Sequence, residues 1–171
     1  MKRIILLYLI LVLALGTIIF VRSEFFDNQK SKVANIIPGL QPSIPVKNPT
    51  ATINNQTFKV LLAETSAQQI KGLSDREKLD QDTGMLFVFP QKAPYSFWMK
   101  NMKFAIDIIY IDDDTIVDIF NNVPLPQADI NPLPTYSPQA DANYVLEINA
   151  NLSKKYGFKV GDKVSFKEIG K

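Results

Sequence analysis

The feature that most constrains this chain lies at its N-terminus. Ile4 to Val21 is an uncharged run of 18 residues, apolar apart from Tyr8, Gly16 and Thr17. As a helix it would be about 27 Å long at 1.5 Å per residue, enough to cross the hydrocarbon core of a bilayer. Lys2 and Arg3 precede the run, while Arg22 is soon followed by Glu24 and Asp27. That charge asymmetry puts the N-terminus in the cytoplasm and everything after Phe25 outside. Residues 1–22 therefore read as a single-pass signal anchor in the cytoplasmic membrane, because the apolar stretch is longer than a usual signal-peptide core. A cleaved signal peptide is the competing reading. Ala14-Leu15-Gly16 supplies small residues for a cut, but that cut would leave Thr17-Ile18-Ile19-Phe20-Val21 on the mature end; a cut after Val21-Arg22-Ser23 is disfavoured by Arg22 beside the bond. The domain is exported on either reading, as an anchored extracytoplasmic domain or as a secreted one.

Residues 23–50 have the composition of a linker. Pro38, Pro42, Pro45 and Pro49 are spaced among Asn, Gln, Ser and Lys with no sustained hydrophobic period. Such a segment buries too little apolar surface to offset the entropy of ordering it, and its prolines favour a semi-extended spacer.

The remaining residues, 51–171, are long enough for one ordinary domain. The whole chain has 171 residues with no Cys and no His. Disulfides, Cys nucleophiles, Ser-His-Asp triads and His/Cys zinc sites are thereby excluded. Without Lys2, Arg3 and Arg22, 16 basic side chains face 17 acidic ones. This near-neutral body offers no general basis for nucleic-acid binding.

Short strands dominate the pattern. Thr57–Glu64 alternates as a strand, and Thr65–Leu73 follows as a short helix with Thr65 or Ser66 at its start and Gly72 near its end. Gly84–Phe89 is a continuous apolar run stopped by Pro90, too short for most helices and so a buried strand. Ser96–Met102 and Ala105–Ile111 predict two more strands. Asp112-Asp113-Asp114-Thr115 then turns the chain into a strand over Ile116–Phe120, and a Pro-rich loop runs from Pro124 to Pro138. Tyr144–Ile148, a helical turn over Leu152–Tyr156, and Lys163–Glu168 complete the chain. The expected fold is mainly β, a compact jelly-roll-like sandwich or partly open barrel with one or two short helices, preceded by the transmembrane helix.

Lys71-Gly72-Leu73, Gly84-Met85-Leu86-Phe87-Val88-Phe89-Pro90, Ser96-Phe97-Trp98-Met99-Lys100-Asn101 and Ile106–Ile111 occur in that order, followed by Tyr144–Asn149 and Gly157–Val164. Together they resemble the domain-of-unknown-function family numbered 192, whose members are mostly secreted bacterial and archaeal proteins. The likeness runs from about Phe58 to Phe166. It implies a compact, mainly β domain of jelly-roll-like appearance and no established activity. Three positions depart from the family pattern: Ser74 where Met is usual, Met102 where Thr is usual, and Asn151 where Gly is usual. Many members also have a Cys after the fifth strand, and the stretch Pro124–Asp129 here has none.

Six residues stand out as ligand-binding candidates: Arg76, Trp98, Lys100, Asn101, Asp107 and Glu147. Asp107 lies in a strand apolar on both faces, so its carboxylate needs a partner. The family resemblance implies a basic residue at positions 76 and 100. Arg76 is the expected partner, since a guanidinium suits a buried bidentate pair better than an ammonium does. Such a pair would be architectural first, and an anion- or hydroxyl-binding cluster second. In a strand, Trp98, Lys100 and Met102 share one face, with Phe97, Met99 and Asn101 on the other. Trp98 is expected in the core with Lys100 snorkelling at its edge; an exposed Trp98 would instead make a stacking platform. Glu147 belongs either to a solvated strand face or beside Asp107.

The acids at 112–114 are consecutive and lack the spacing of a calcium loop, so a hairpin turn is expected there. Met85, Met99 and Met102 are expected in the core rather than on copper. No metal or cofactor is called for. The function expected is a binding module for an envelope ligand or a protein partner. The alternatives are a carboxylate-dependent hydrolase using Asp107, Glu147 and Arg76, and a structural or assembly factor of a membrane complex.

Overall fold

The computed structural model describes residues 48–127 and 131–169. The expected membrane helix and nearly all of the linker lie outside these residues. Among the described residues, no helix is long and apolar enough to cross a membrane.

A seven-stranded sheet organises the domain. It is built from β1 (Thr50–Ile53), β2 (Gln56–Ala63), β3 (Thr83–Ala93), β5 (Ile106–Asp112), β6 (Thr115–Val123), β8 (Ala142–Asn149) and β9 (Val164–Lys167). Their order across the sheet is β6-β5-β8-β3-β2-β1-β9. Only β2 and β3 run parallel; the other neighbours are antiparallel. A parallel pair needs a crossover, and here the connection contains helix α1 (Ser66–Lys71). A separate two-stranded ribbon pairs β4 (Phe97–Trp98) with β7 (Thr135–Tyr136). Helix α2 (Leu152–Tyr156) follows β8.

The sheet curls until its outer strands meet. The Ile116 amide donates to the Asp162 carbonyl at 3.0 Å, Gly161 to Ile116 at 2.9 Å, and Val164 to Asp114 at 2.8 Å. A bridge between Thr115 and Lys163 completes the contact. The result is a curled half-barrel made of one sheet, so the partly open barrel describes it and a two-sheet sandwich does not.

The strands alternate between two apolar cores. Phe58, Leu86, Ile109, Ile111, Leu146 and Ile148 fill one face of the sheet. Leu73, Met85, Phe87, Met99, Ile108, Tyr110 and Val145 pack on the other, together with Phe97 of the ribbon. Strands covered on both faces read as continuous apolar runs, which is why Ile106–Ile111 shows no alternation.

Two expected elements change and two strands are additional. β3 extends through Pro90 to Ala93, because its ladder with β8 breaks between Val88 and Ala93 and leaves the proline unpaired. Conversely, the expected strand over Ser96–Met102 contracts to Phe97–Trp98. Asn101 adopts φ 56° and the Met102 amide turns back to the Met99 carbonyl at 3.2 Å. β1 and β7 were not anticipated as strands.

Candidate functional site

The cleft is built from α1 outward. Thr65 caps the helix through a reciprocal box with Gln68. The Gln69 amide group then donates to the Val88 carbonyl at 2.9 Å and to the Ala63 carbonyl at 3.3 Å, fixing the helix against β2 and β3. Gly72 ends the helix with φ 49°, and a Cβ there would lie 3.3 Å from the Phe87 ring. The next turn is tied to the turn after β4: the Ser74 hydroxyl donates to the Lys100 carbonyl at 2.8 Å, and the Asp75 amide to the Asn101 carbonyl at 2.9 Å. These bonds fix the turn after α1 to the turn after β4. Between α1 and β4 lies a cavity of about 250 Å³.

Glu147 contributes to the lining of this cleft, together with Phe87, Phe89, Tyr95, Phe97 and Trp98. Phe89 and Tyr95 stack at 3.6 Å between centroids, and Phe97 meets Phe87 edge-on at 4.8 Å. Glu147 comes from central strand β8, opposite Met85 on β3 and Ile108 on β5. Its side chain is buried, at 5% exposure, and Oε2 has no hydrogen-bond partner among the described residues. Burial in these apolar surroundings pushes its carboxyl up from 4.5 to about 8. The neighbouring Tyr110 phenol is also raised, by burial first and then by the charges of Glu147 and Asp118. Tyr110 keeps its proton for the Tyr136 carbonyl, 2.6 Å away.

Trp98 is 49% exposed, and the Lys100 ammonium lies 5.4 Å from its ring centroid. The expectation of a core tryptophan is corrected here: the face of Phe97 and Met99 is the one that packs inward, so the opposite face carries Trp98 at the cleft mouth. Ile70, 72% exposed, and Lys71 border the same cleft from α1.

Asp107 is on the opposite face of the sheet, where it pairs across with Ile148 rather than Glu147. It is fully buried, and three backbone amides donate to it: Asn122 at 2.7 Å, Asn151 at 2.9 Å and Ser153 at 2.8 Å. Asn122 and Asn151 reach it from left-handed conformations, φ 51° and 69°. The Asn151 side chain does not cap α2, so the Asp107 carboxylate satisfies the start of that helix instead. The expected pair with Arg76 or Lys100 is therefore corrected; among the described residues neither forms an ion pair with Asp107, and Arg76 is exposed. The set Asp107, Glu147 and Arg76 does not converge, because the sheet separates its two carboxyls.

Asn101 works through its backbone in the turn that places Trp98 and Lys100. At residues 112–114, Lys92 pairs with Asp112 and Asp113 while Lys163 pairs with Asp114 around a hairpin turn. Among the described residues no group of three acidic side chains is arranged to hold a metal ion.

The family model of DUF192, described as Uncharacterized ACR, matches residues 49–166. The chain belongs to this family. A protein of unknown function from Novosphingobium aromaticivorans DSM 12444 is 31% identical to this DUF192 chain, with a TM-score of 0.62, over 68% of this chain and 83% of that one. A second solved structure, from Sinorhizobium meliloti 1021, is described as that of a candidate transcription regulator. It is 28% identical with a TM-score of 0.62, over 71% of this chain and 95% of the other. No curated protein matches the chain.

Of the residues singled out in the sequence, Glu147 and Trp98 line this cleft, whereas α1 and the aromatic wall of Phe87, Phe89, Tyr95 and Phe97 were not anticipated as part of it.

Proposed function

We propose that this DUF192 chain is an extracytoplasmic binding module, tethered by residues 1–22 to the cytoplasmic membrane, whose cleft between α1 and β4 takes a small organic ligand. Glu147 is the observation that supports this reading most strongly. Architectural buried carboxyls have partners, as Asp107 does; Glu147 is also buried, borders the cleft, and among the described residues has no partner for Oε2. Small-molecule sites have this character, mostly apolar walls with few convergent polar groups. Trp98 adds an exposed ring at the mouth, held by the turn at Lys100–Asn101. The separation of Asp107 from Glu147 favours binding over two-carboxylate hydrolysis.

A thermal-shift screen of the full-length chain in detergent tests the proposal. Ligands at 100 times their Kd stabilise by about 2.7 kcal/mol, which is several degrees in Tm. A ligand of this cleft should raise the Tm of the wild type and leave Trp98→Ala and Glu147→Gln unmoved. Equal shifts in all three proteins would place the ligand elsewhere and defeat the proposal.

A further inference from the structure

We propose that the cleft is built for a small zwitterion, with an organic ammonium seated against Glu147 and an anionic end directed to Lys71 and Lys100. This rests on the cleft being a ligand site. The charges are ordered by depth. Among the described residues Glu147 is the only carboxyl that borders the cleft and its most deeply buried ionisable group, whereas Lys71 borders it from an exposed position on α1 and Lys100 stands over Trp98. Among the described residues neither lysine forms an ion pair. Aromatic side chains line the same cleft, and their faces attract alkylammonium groups. Trp98 already holds such a group, the Lys100 ammonium at 5.4 Å.

The choice of an ammonium over a neutral hydroxyl follows from what Glu147 lacks. A hydroxyl would exchange one water hydrogen bond for another, with little net gain, whereas a cation would compensate the desolvated carboxylate directly. The cavity, about 250 Å³, has room for a ligand the size of an amino acid or betaine.

This arrangement couples binding to a proton. Burial holds Glu147 at about 8, so most of it is protonated at neutral pH. An ammonium binds the ionised form and expels the proton. The titratable group next to Glu147 is the Tyr110 phenol on β5; β3 presents the uncharged Met85 and Phe87, and Lys71 borders the cleft without shifting the Glu147 carboxyl, whose only perturbation is burial.

Glycine betaine is the probe, because its ammonium is permanently charged and its carboxylate stays ionised over this range. Calorimetry on the full-length chain in polyoxyethylene ether micelles should find binding about fifty-fold tighter at pH 8 than at pH 6. Close to one proton should leave at pH 6, read by comparing buffers of different ionisation heat. Glu147→Gln should abolish both binding and proton release while keeping its far-UV spectrum. The double variant Lys71→Ala/Lys100→Ala should weaken betaine severalfold and spare choline, which lacks the anionic end. Absent betaine binding, or binding without proton release, overturns the zwitterion. If methyl β-glucoside instead binds through Glu147 and weakens as pH rises, the ligand-site reading stands and only the zwitterion falls; if neither ligand saturates the cleft, both fall.

Discussion

Two carboxyls buried in the same sheet, one per face, show how context decides a residue's part. Asp107 is recognisable in the sequence as an acid in apolar surroundings that must be compensated. Its actual partners are the amides of residues 122, 151 and 153, and amides are invisible in sequence because every residue except proline has one. Asp107→Ala should cost about 3–5 kcal/mol, since it orphans three donors and the start of α2. Asp107→Asn, which keeps one acceptor, should cost less. Urea unfolding would measure both, and combining either with Arg76→Ala should be additive within about 0.5 kcal/mol. A larger coupling would restore the ion pair. Glu147 behaves in the opposite way. Its folded carboxyl titrates near 8 and its unfolded one near 4.5, so between those values the folded state holds a proton that the unfolded state has released. Stability from this group is therefore fully present below about pH 4.5 and is lost as pH rises through 8. The difference in unfolding free energy between wild type and Glu147→Gln, followed from pH 5 to 9, should change by a few kcal/mol in that direction. A flat difference would mean that Glu147 is solvated.

At the scale of elements, local punctuation was legible and strand pairing was not. Thr65 and Gly72 bound α1, Gly157 ends α2, and the turn at 112–115 joins β5 to β6, all as the residue types require. The aromatic stretch at 96–102 failed because period-two reasoning presumes a strand, and the left-handed Asn101 ends it. Trp98 was misplaced for another reason: period two sets it opposite Phe97 and Met99 but does not say which of the two faces is buried. Two substitutions test how elements fix the cleft. Thr65→Ala removes the cap of α1 and should cost about 1 kcal/mol. Gly84→Ala is more severe: its Cβ would lie 2.9 Å from both the Glu147 carbonyl and the Leu146 side chain. β3 must then move away from β8, at a cost of about 1–3 kcal/mol or more. Thermal unfolding would rank the two, and the ranking reverses only if the β3–β8 contact is loose.

The whole molecule joins two kinds of information that a sequence holds unequally. Alternating and continuous apolar strands announced a β domain, yet the curl that brings β6 to β9 depends on hydrogen bonds between backbone groups of residues 114–116 and 161–164. No residue type marks those bonds, so barrel and sandwich could not be separated beforehand. The N-terminal segment is the reverse case, since hydropathy and flanking charge speak without tertiary contacts. Ile4–Val21 offers 18 uncharged residues and Lys2 and Arg3 on the retained side. A reporter fused after Lys171 should therefore be active outside the cytoplasm and sediment with membranes. Reversing the asymmetry, by Lys2→Glu and Arg3→Glu together with added lysines after Arg22, should move part of the fusion to the cytoplasmic side, because basic residues near a span set its orientation. Protease protection in spheroplasts distinguishes the orientations. Recovery of the unaltered fusion in the soluble extracytoplasmic fraction, with a new N-terminus near Thr17 or Glu24, would make the segment a cleaved signal. The cleft would then work in a diffusing domain and not in one held at the membrane surface.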